Sequence, residues 1–343
     1  MPKYIIPANY KPIFKFREIE TAIKGIKDDF ERALSTQLGL LRVTAPMFLD
    51  PTTGLNDNLN GVEKPVKFYA ADVQKEVEIV QSLAKWKRYA LYKYGFRPGE
   101  GLYTDMNALR PDETISPIHS FYVDQWDWCK VMKRDQRNLE FLKATVESIF
   151  GAIKSTEYRV CSQYAQIKPI LPEKISFITS EELQRRFPAL TPKERETVVC
   201  REAGAIFVIG IGGELPDGTI HDGRAPDYDD WSTPREGGIG LNGDILLWHP
   251  ILETALEVSS MGIRVDAETL RRQVKIRQCE DRLKLLFHKS ILSGELPQTI
   301  GGGIGQSRLC LFMLRAIHIG EVACGLWHEE MVKDYANAGV TLL

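Results

Sequence analysis

Ala108-Leu109-Arg110-Pro111-Asp112-Glu113, followed by His119-Ser120-Phe121-Tyr122-Val123-Asp124-Gln125-Trp126-Asp127-Trp128, is the stretch from which the fold is read. It runs as a strand, an arginine, an acidic loop and a returning aromatic strand. Proline breaks the extended run and turns the chain back. A guanidinium at the end of the first strand can make a bidentate contact to a phosphate or a carboxylate. On these residues alone, an ordinary surface arginine remains the alternative.

Two other segments flank this one in sequence. Residues 17–38 carry Ile19, Ile23, Ile26, Phe30, Leu34 and Leu38, one apolar stripe of a helix. The segment Leu38-Gly39-Leu40-Leu41-Arg42-Val43-Thr44-Ala45-Pro46 then stops the helix at Gly39 and reads as a strand ending at Pro46. Near the C-terminus, Gly301-Gly302-Gly303-Ile304-Gly305-Gln306-Ser307-Arg308 opens a helix expected over 305–316. Its glycines let backbone approach a flat ligand or a phosphate. The helix start offers free N–H groups and partial positive charge, and Arg308 can stack on a purine or hold a phosphate. No Gly-Lys-Ser/Thr follows, and Gln306 interrupts G-x-G-x-x-G, so neither standard phosphate loop is present. A strand–helix turn that needs glycine only for packing is the alternative.

Elsewhere, residues 76–80 alternate as a half-buried strand. Ser82 is expected to cap a helix running to Tyr94 and stopped by Gly95. Residues 139–160 read as a helix, 205–211, 244–248 and 255–258 as strands with 263–265 continuing the last, and 267–292 as helical. Strands come in clusters and do not alternate regularly with helices. The expected class is α+β, a mainly antiparallel sheet flanked by helices. The proline-bearing stretch 165–173 is a candidate boundary or a long loop. The chain is read as one catalytic domain over 1–343.

Composition narrows the function classes. The 343 residues are 43% hydrophobic, enough for a large core, and carry a formal net charge of -2. A near-neutral chain gives no electrostatic case for nucleic-acid binding. No apolar run reaches the length of a membrane span, which is about 20 residues. Six scattered cysteines form no C-x-x-C pair and suit a reducing, cytoplasmic setting. Met1-Pro2-Lys3 does not open a signal peptide.

Acids inside strands are the next candidates. Asp244 opens one strand and Glu257 lies within Leu256-Glu257-Val258-Ser259-Ser260. A carboxylate there needs a partner or a cation. Magnesium, which takes a few carboxylates with phosphate oxygens, is one reading; an ion pair with an arginine such as Arg264 is the other. The polar loop His221-Asp222-Gly223-Arg224-Ala225-Pro226-Asp227-Tyr228-Asp229-Asp230-Trp231 reads as a binding loop, with an ordinary acidic loop as the alternative. Asp57-Asn58-Leu59-Asn60-Gly61 and Ser82-Leu83-Ala84-Lys85-Trp86-Lys87-Arg88 are expected to face the same cleft.

In their order, the three segments resemble motif 1 (about 17–46), motif 2 (about 103–128) and motif 3 (about 299–315) of the class II aminoacyl-tRNA synthetase fold. Within it, the chain from about residue 15 onward resembles the ammonia-dependent aspartate–ammonia ligases of the asparagine synthetase A type. The strings that carry this are 82–88, Gly99-Glu100-Gly101-Leu102-Tyr103-Thr104, 122–128, 224–234, 241–246, 259–266 and 297–309. No motif residue of that family is missing.

The resemblance implies that L-aspartate, ATP and ammonia give asparagine, AMP and pyrophosphate through β-aspartyl-AMP. It implies Arg110 at the α-phosphate and Arg308 at the ATP tail or purine, with Ser120, Gly303 and Gly305 around the nucleotide. It implies Mg2+ at Asp244 and Glu257. Lys87, Arg264, Ser260 and Ser82 would hold substrate, Asp127 its α-ammonium, and Gln125 would bridge substrate and phosphate. Asp57 and Asp229 would stand by the ammonia or the reacting carboxylate. A homodimer built on 17–46 is implied as well.

The nitrogen source has an independent signal. Pro2 stands where an N-terminal-nucleophile glutaminase needs cysteine, and no cysteine lies in Gly-x-Cys-x-Gly, so free ammonia is expected. Two other readings compete: a tRNA-charging aspartyl or asparaginyl synthetase, and a non-catalytic amino-acid-binding paralogue. Too little chain flanks the motifs for a tRNA-reading domain, and the paralogue reading fits poorly with Arg110, Arg308, Glu257 and Asp244 all present.

Overall fold

A computed structural model of the chain describes residues 6–7, 9–57, 59 and 63–343. Of the segment 57–61 singled out above, Asn58, Asn60 and Gly61 lie outside the described residues.

The apolar stripe of the first helix forms as the spacing requires. α1 (Phe16–Leu38) buries Ile19, Ile23, Ile26, Phe30, Leu34 and Leu38, and ends where Gly39 takes φ 67° and donates its N–H to the Ser35 carbonyl. β1 (Leu40–Arg42) follows. The strands β2 (Phe48–Leu49), β3 (Lys67–Ala70) and β4 (Lys75–Ile79) make a small antiparallel sheet ordered β2-β4-β3. α2 (Ala84–Lys93) begins one residue later than expected: Leu83 is its cap position, and Ser82 Oγ accepts the Ala84 N–H at 3.1 Å. The motif-2 stretch is the hairpin β5 (Gly101–Leu109) and β6 (Tyr122–Val131), with Arg110 just past its first strand.

α3 (Leu139–Gln163) is capped by Asn138, whose side chain accepts the Phe141 N–H. The stretch 165–173 is a loop tied back to α3, because the Glu157 carboxylate accepts the N–H groups of Ile170 and Leu171 at 3.0 and 3.1 Å. β7 (Ser176–Thr179), α4 (Ser180–Arg186), α5 (Pro192–Ala203) and β8 (Ala205–Ile209) come next. After the short pair β9 (Pro234–Arg235) and β10 (Gly238–Ile239), β11 (Asn242–His249) and β12 (Thr254–Ile263) form a second long hairpin.

Three expectations need correction. The run 267–292 is not continuous: α6 (Ala267–Ile276) and α7 (Leu286–Leu292) are separated by Gln278 at φ 53° and a 3-10 turn. The break folds Val274, Phe287 and Ile291 onto one apolar cluster with Leu55 and Val265. The glycine-rich segment, expected to open the last helix, is mostly a strand, β13 (Thr299–Gly305). The helix after it, α8 (Gln306–Met313), is short and is followed by a further one, α9 (Glu329–Asn337). It stops because Arg315 turns to φ 57° and caps the Phe312 carbonyl at 2.5 Å while pairing with Glu157.

The main sheet has the order β1-β5-β6-β13-β12-β11-β8-β7. β1–β5 and β7–β8 are parallel; the other neighbours are antiparallel, as expected from the clustered strands. Period-two alternation decides what each face does. Trp126, Trp128, Phe207, Ile245, Leu247, Ile300 and Ile304 enter one large core with α1 and α3. The intervening residues of β6 and β13, among them Gln125, Asp127 and Gly303, belong to the opposite face.

Candidate active site

That opposite face is the floor of a cleft of about 430 Å³. Gly303 pairs with Asp127 on one side and Ser260 on the other, and Gly305 pairs with Gln125. A Cβ on Gly303 would lie 2.2 Å from Gln125 Oε1 and 3.1 Å from Asp127 Oδ1. The glycines therefore clear space for functional side chains of the neighbouring strand. This is a third role, distinct from both phosphate cradle and packing turn.

A β-bulge shapes the next strand. Asp244 pairs with Ser260 and Leu246 with Glu257, so the register slips between Ile245 and Leu246. The slip brings Glu257 and Ser260, three residues apart, to the same face. Both line the cleft.

The walls bring charge. Lys87, wholly buried on α2, pairs with Asp127 and donates to the Gly302 carbonyl at 2.8 Å. Burial lowers the Lys87 ammonium; Asp127 opposes that and Arg264 adds to it. Arg264 pairs with Asp229, and its guanidinium lies 5.6 Å from the Tyr228 ring. The alternative pair Glu257–Arg264 does not form. Glu257 instead faces Arg308, which donates to the Glu257 carbonyl at 3.0 Å and stands 3.8 Å from its carboxylate. Arg110 offers a buried Nε with no hydrogen-bond partner, and buried Gln81 beside it has neither amide atom bonded. Such orphans suit a polar ligand. Ser82 and Ser120 also line the cleft.

Asp244 does not reach the cleft wall; its ion partner Arg224 does. It is the third residue of β11 and not its first. Burial raises the Asp244 carboxyl to about 6, against the pull of Arg224, while Glu257 stays below its usual range because Arg308, Lys193 and Arg224 outweigh its burial. Asp244 Oδ1 is buried without a partner. Two carboxylates on one face, one with a free oxygen, suit a divalent cation that takes its other ligands from phosphate and water. Among the described residues, no group of three or more His, Cys, Asp or Glu side chains is placed to hold a metal.

Asp57 stands apart from the cleft, in a neighbouring cavity of about 590 Å³ with Lys85, Asp227, Arg282 and His288. Lys85 was expected at the main cleft and is here instead. Arg88 reaches neither, because it binds the Pro297 and Val265 carbonyls at 3.0 and 2.6 Å.

The sequence reading missed several polar groups. Gln81 gave no signal. Arg224 and Asp227 sat in the polar loop already marked as binding, where only Asp229 was chosen. Asp124 accepts from Ser307 N and Oγ at 3.0 and 2.8 Å and pairs with Lys27 of α1 at 2.9 Å.

A glycine floor between two antiparallel hairpins, with arginines at its ends, defines the catalytic core of the class II aminoacyl-tRNA synthetase fold. Asparaginyl-tRNA synthetase from Pyrococcus horikoshii, solved with asparaginyl-adenylate, has a similar fold at TM-score 0.67 and 16% identity, over 89% of this chain and 68% of that one. Aspartyl-tRNA synthetase from Entamoeba histolytica gives 0.62 and 13%, over 89% and 57%. The particular family comes from sequence. The aspartate–ammonia ligase profile matches residues 17–339. The aspartate–ammonia ligase of Clostridium perfringens strain 13 is 54% identical over 344 residues, and that of Bacteroides thetaiotaomicron 51% over 345, each covering 100% of both chains. The chain belongs to the aspartate–ammonia ligase family of enzymes.

Proposed function

We propose that the protein makes L-asparagine from L-aspartate and ammonia, with ATP as co-substrate, through β-aspartyl-AMP. The observation that carries this reading is the cleft floor: Lys87, Asp127, Gln125, Ser260 and Arg264 converge over bare glycine backbone. Family membership supplies the substrates.

Aspartate has two carboxylates and one ammonium. Asp127 suits the ammonium; Lys87 and Arg264 suit a carboxylate. The β-carboxylate oxygen attacks the α-phosphorus, and the bond to pyrophosphate breaks. Arg110 and Arg308 offset the charge that gathers on the phosphate oxygens, and Gln125 aligns the two reactants. Ammonia then adds to the acyl carbon, loses a proton, and AMP leaves with the C–O electrons. Asp57 and Asp229 are the carboxylates available to attract ammonium or accept that proton. Asp244 and Glu257 would hold a magnesium ion, which supplies charge neutralisation at the phosphates when bound. Ser82 supports the substrate end; Ser120, Gly303 and Gly305 leave room for the nucleotide.

We further infer that the whole chain works as one catalytic unit, in the cytoplasm, as a homodimer. All six cysteines are free thiols. No helix among the described residues is long and apolar enough to cross a membrane. Leu41, Met47 and Phe48, in and after the short edge strand β1, are more than half exposed, an apolar patch that a second copy would cover. Light scattering at micromolar concentration tests the dimer.

The function itself is tested by nucleotide product analysis. Aspartate, ATP and magnesium are incubated with and without ammonium. Ammonium-dependent AMP with equal asparagine supports the adenylate route. ADP would replace it with an acyl-phosphate route, and robust turnover on glutamine without ammonium would remove free ammonia as the nitrogen source.

A further inference from the structure

Arg264, one of the two cations suited to a substrate carboxylate, is held from several sides. Its backbone N–H donates to the Thr299 carbonyl at 2.8 Å, and its guanidinium pairs with Asp229. Both side chains of that pair rest on bare backbone. A Cβ on Gly301 would lie 2.9 Å from Arg264 Nη2, and one on Gly262 would lie 2.9 Å from Asp229 Oδ1. Glycine removes an obstruction but fixes no position. The group that fixes it lies behind the cleft.

Arg137 stands just before the cap of α3 and does not line the cleft. Its Nη1 donates to the Arg264 carbonyl at 2.7 Å. Its Nη2 pairs with Asp230 and donates to Thr269 Oγ1 at 3.1 Å, while its Nε lies 3.2 Å from Asp266. One side chain thus joins the end of β12, the polar loop and the start of α6. Asp230 is wholly buried and carries the hold into the loop. Its carboxylate accepts the Ser232 and Thr233 N–H groups at 3.1 and 2.9 Å, and its own N–H donates to the Ile263 carbonyl at 2.9 Å. Asp229 and Arg264 themselves form an antiparallel bridge. Arg137 therefore grips Arg264 directly and Asp229 through the next residue along.

A cation is a costly way to join three segments. Only 14% of the Arg137 side chain is exposed, and desolvation offsets much of what such pairing gains. Its return is geometric, because a planar fork fixes several acceptors relative to one another. Those acceptors set where Arg264 stands relative to Asp127 across the cleft. That span decides the length of amino acid that fits between an ammonium site and a carboxylate site. Aspartate and glutamate differ there by one methylene, a difference that a pocket turns into discrimination of about 10–200-fold.

We propose that Arg137 is a positioning residue that sets the Arg264–Asp229 pair at the distance that selects aspartate over the longer glutamate. The inference rests on the functional reading above. Arg137 touches no substrate; it acts through the Arg264 backbone and through Asp230.

The test is ATP–pyrophosphate exchange without ammonium, driven by aspartate or by glutamate. Arg137→Gln removes both charge and fork. Arg137→Lys keeps a cation beside Asp230 and Asp266 but has no fork to serve Asp230 and the Arg264 carbonyl together. Each is expected to raise KM for aspartate about tenfold or more and to leave KM for ATP within about twofold. The kcat/KM of glutamate relative to aspartate should rise about tenfold. Thr269→Val takes one acceptor from Arg137 without changing any charge, and it decides the matter if neither arginine variant folds. A shift of about threefold in the same two quantities is expected from it. Wild-type aspartate KM and preference in folded Arg137→Lys, or in Thr269→Val where that variant decides, would overturn the inference. So would a loss confined to kcat, which is what a smaller folded fraction produces. Wild-type protein without aspartate-dependent exchange would instead defeat the functional reading, before any variant is made.

Discussion

Lys87 and Asp127 form an ion pair at the bottom of the cleft in which the lysine side chain is wholly buried and the aspartate shows 4% of its surface. A pair this buried gains little net stability, because desolvation offsets most of its attraction. Its value is positional: it sets an ammonium and a carboxylate, both short of water, beside a floor of backbone.

That setting predicts how aspartate binding depends on pH. Burial lowers the Lys87 ammonium below the ordinary lysine range. A substrate carboxylate needs the charged form. Affinity for aspartate should therefore fall as pH rises, in a window below that of a free lysine. The KM for aspartate in pyrophosphate exchange between about pH 7 and 10 is the readout. A flat profile would remove Lys87 from substrate binding, and Lys87→Arg should flatten it.

Arg110 has a buried Nε with no partner, so its removal should cost the fold little. Arg110→Ala is expected to lower adenylation by about 10²–10³-fold or more, the scale seen when one preorganised donor to a developing charge is lost. Arg110→Lys should restore only a small part, because it lacks the bidentate fork. Normal pyrophosphate release in a folded Arg110→Ala protein would take Arg110 out of the mechanism.

Gly303→Ala tests the bare floor. The new methyl meets Gln125 and Asp127 and must push both aside. Overpacking of this kind costs about 1–3 kcal/mol. The KM for aspartate should rise about tenfold, with a native circular dichroism spectrum, since no left-handed backbone is involved at this position. Unaltered aspartate kinetics would mean that the substrate lies elsewhere.

Asp57→Asn should stabilise the protein while it damages turnover. The carboxyl is raised from 3.8 to about 6, so the folded state holds that proton more tightly than the unfolded chain. From this group, wild-type stability is gained as pH falls from above 6 toward 4 and lost as pH rises. The variant removes that dependence and should gain about 1.4 kcal/mol at pH 8 relative to pH 5. Denaturant unfolding of both proteins at the two pH values measures the difference; equal differences would show that the carboxyl is not raised.

What the sequence made legible follows from where the information lay. α1 was readable because its apolar residues recur at helical spacing within one segment. The β5–β6 hairpin was readable because its arginine, acidic turn and aromatic return are contiguous. The glycine strand was not, since glycines carry no alternation; its extended form is set by β6 and β12 on either side. The run 267–292 was misread because helical spacing continues across a break fixed by tertiary packing on Leu55 and Val265. The second cavity was hidden for a simpler reason: Lys85 and Asp227 are 142 positions apart, and His288 a further 61.

A central strand with four glycines among its seven residues has one more consequence. The hairpins β5–β6 and β11–β12 can close locally, whereas β13 has little to hold it until both are present. Its seven residues should therefore be zipped in late, as the last plank between two standing walls. Pulse-labelled hydrogen exchange during refolding would see those hairpins protected before β13. The chain would then gain its catalytic surface only at the moment the sheet becomes whole, so that no partly folded form could start the chemistry.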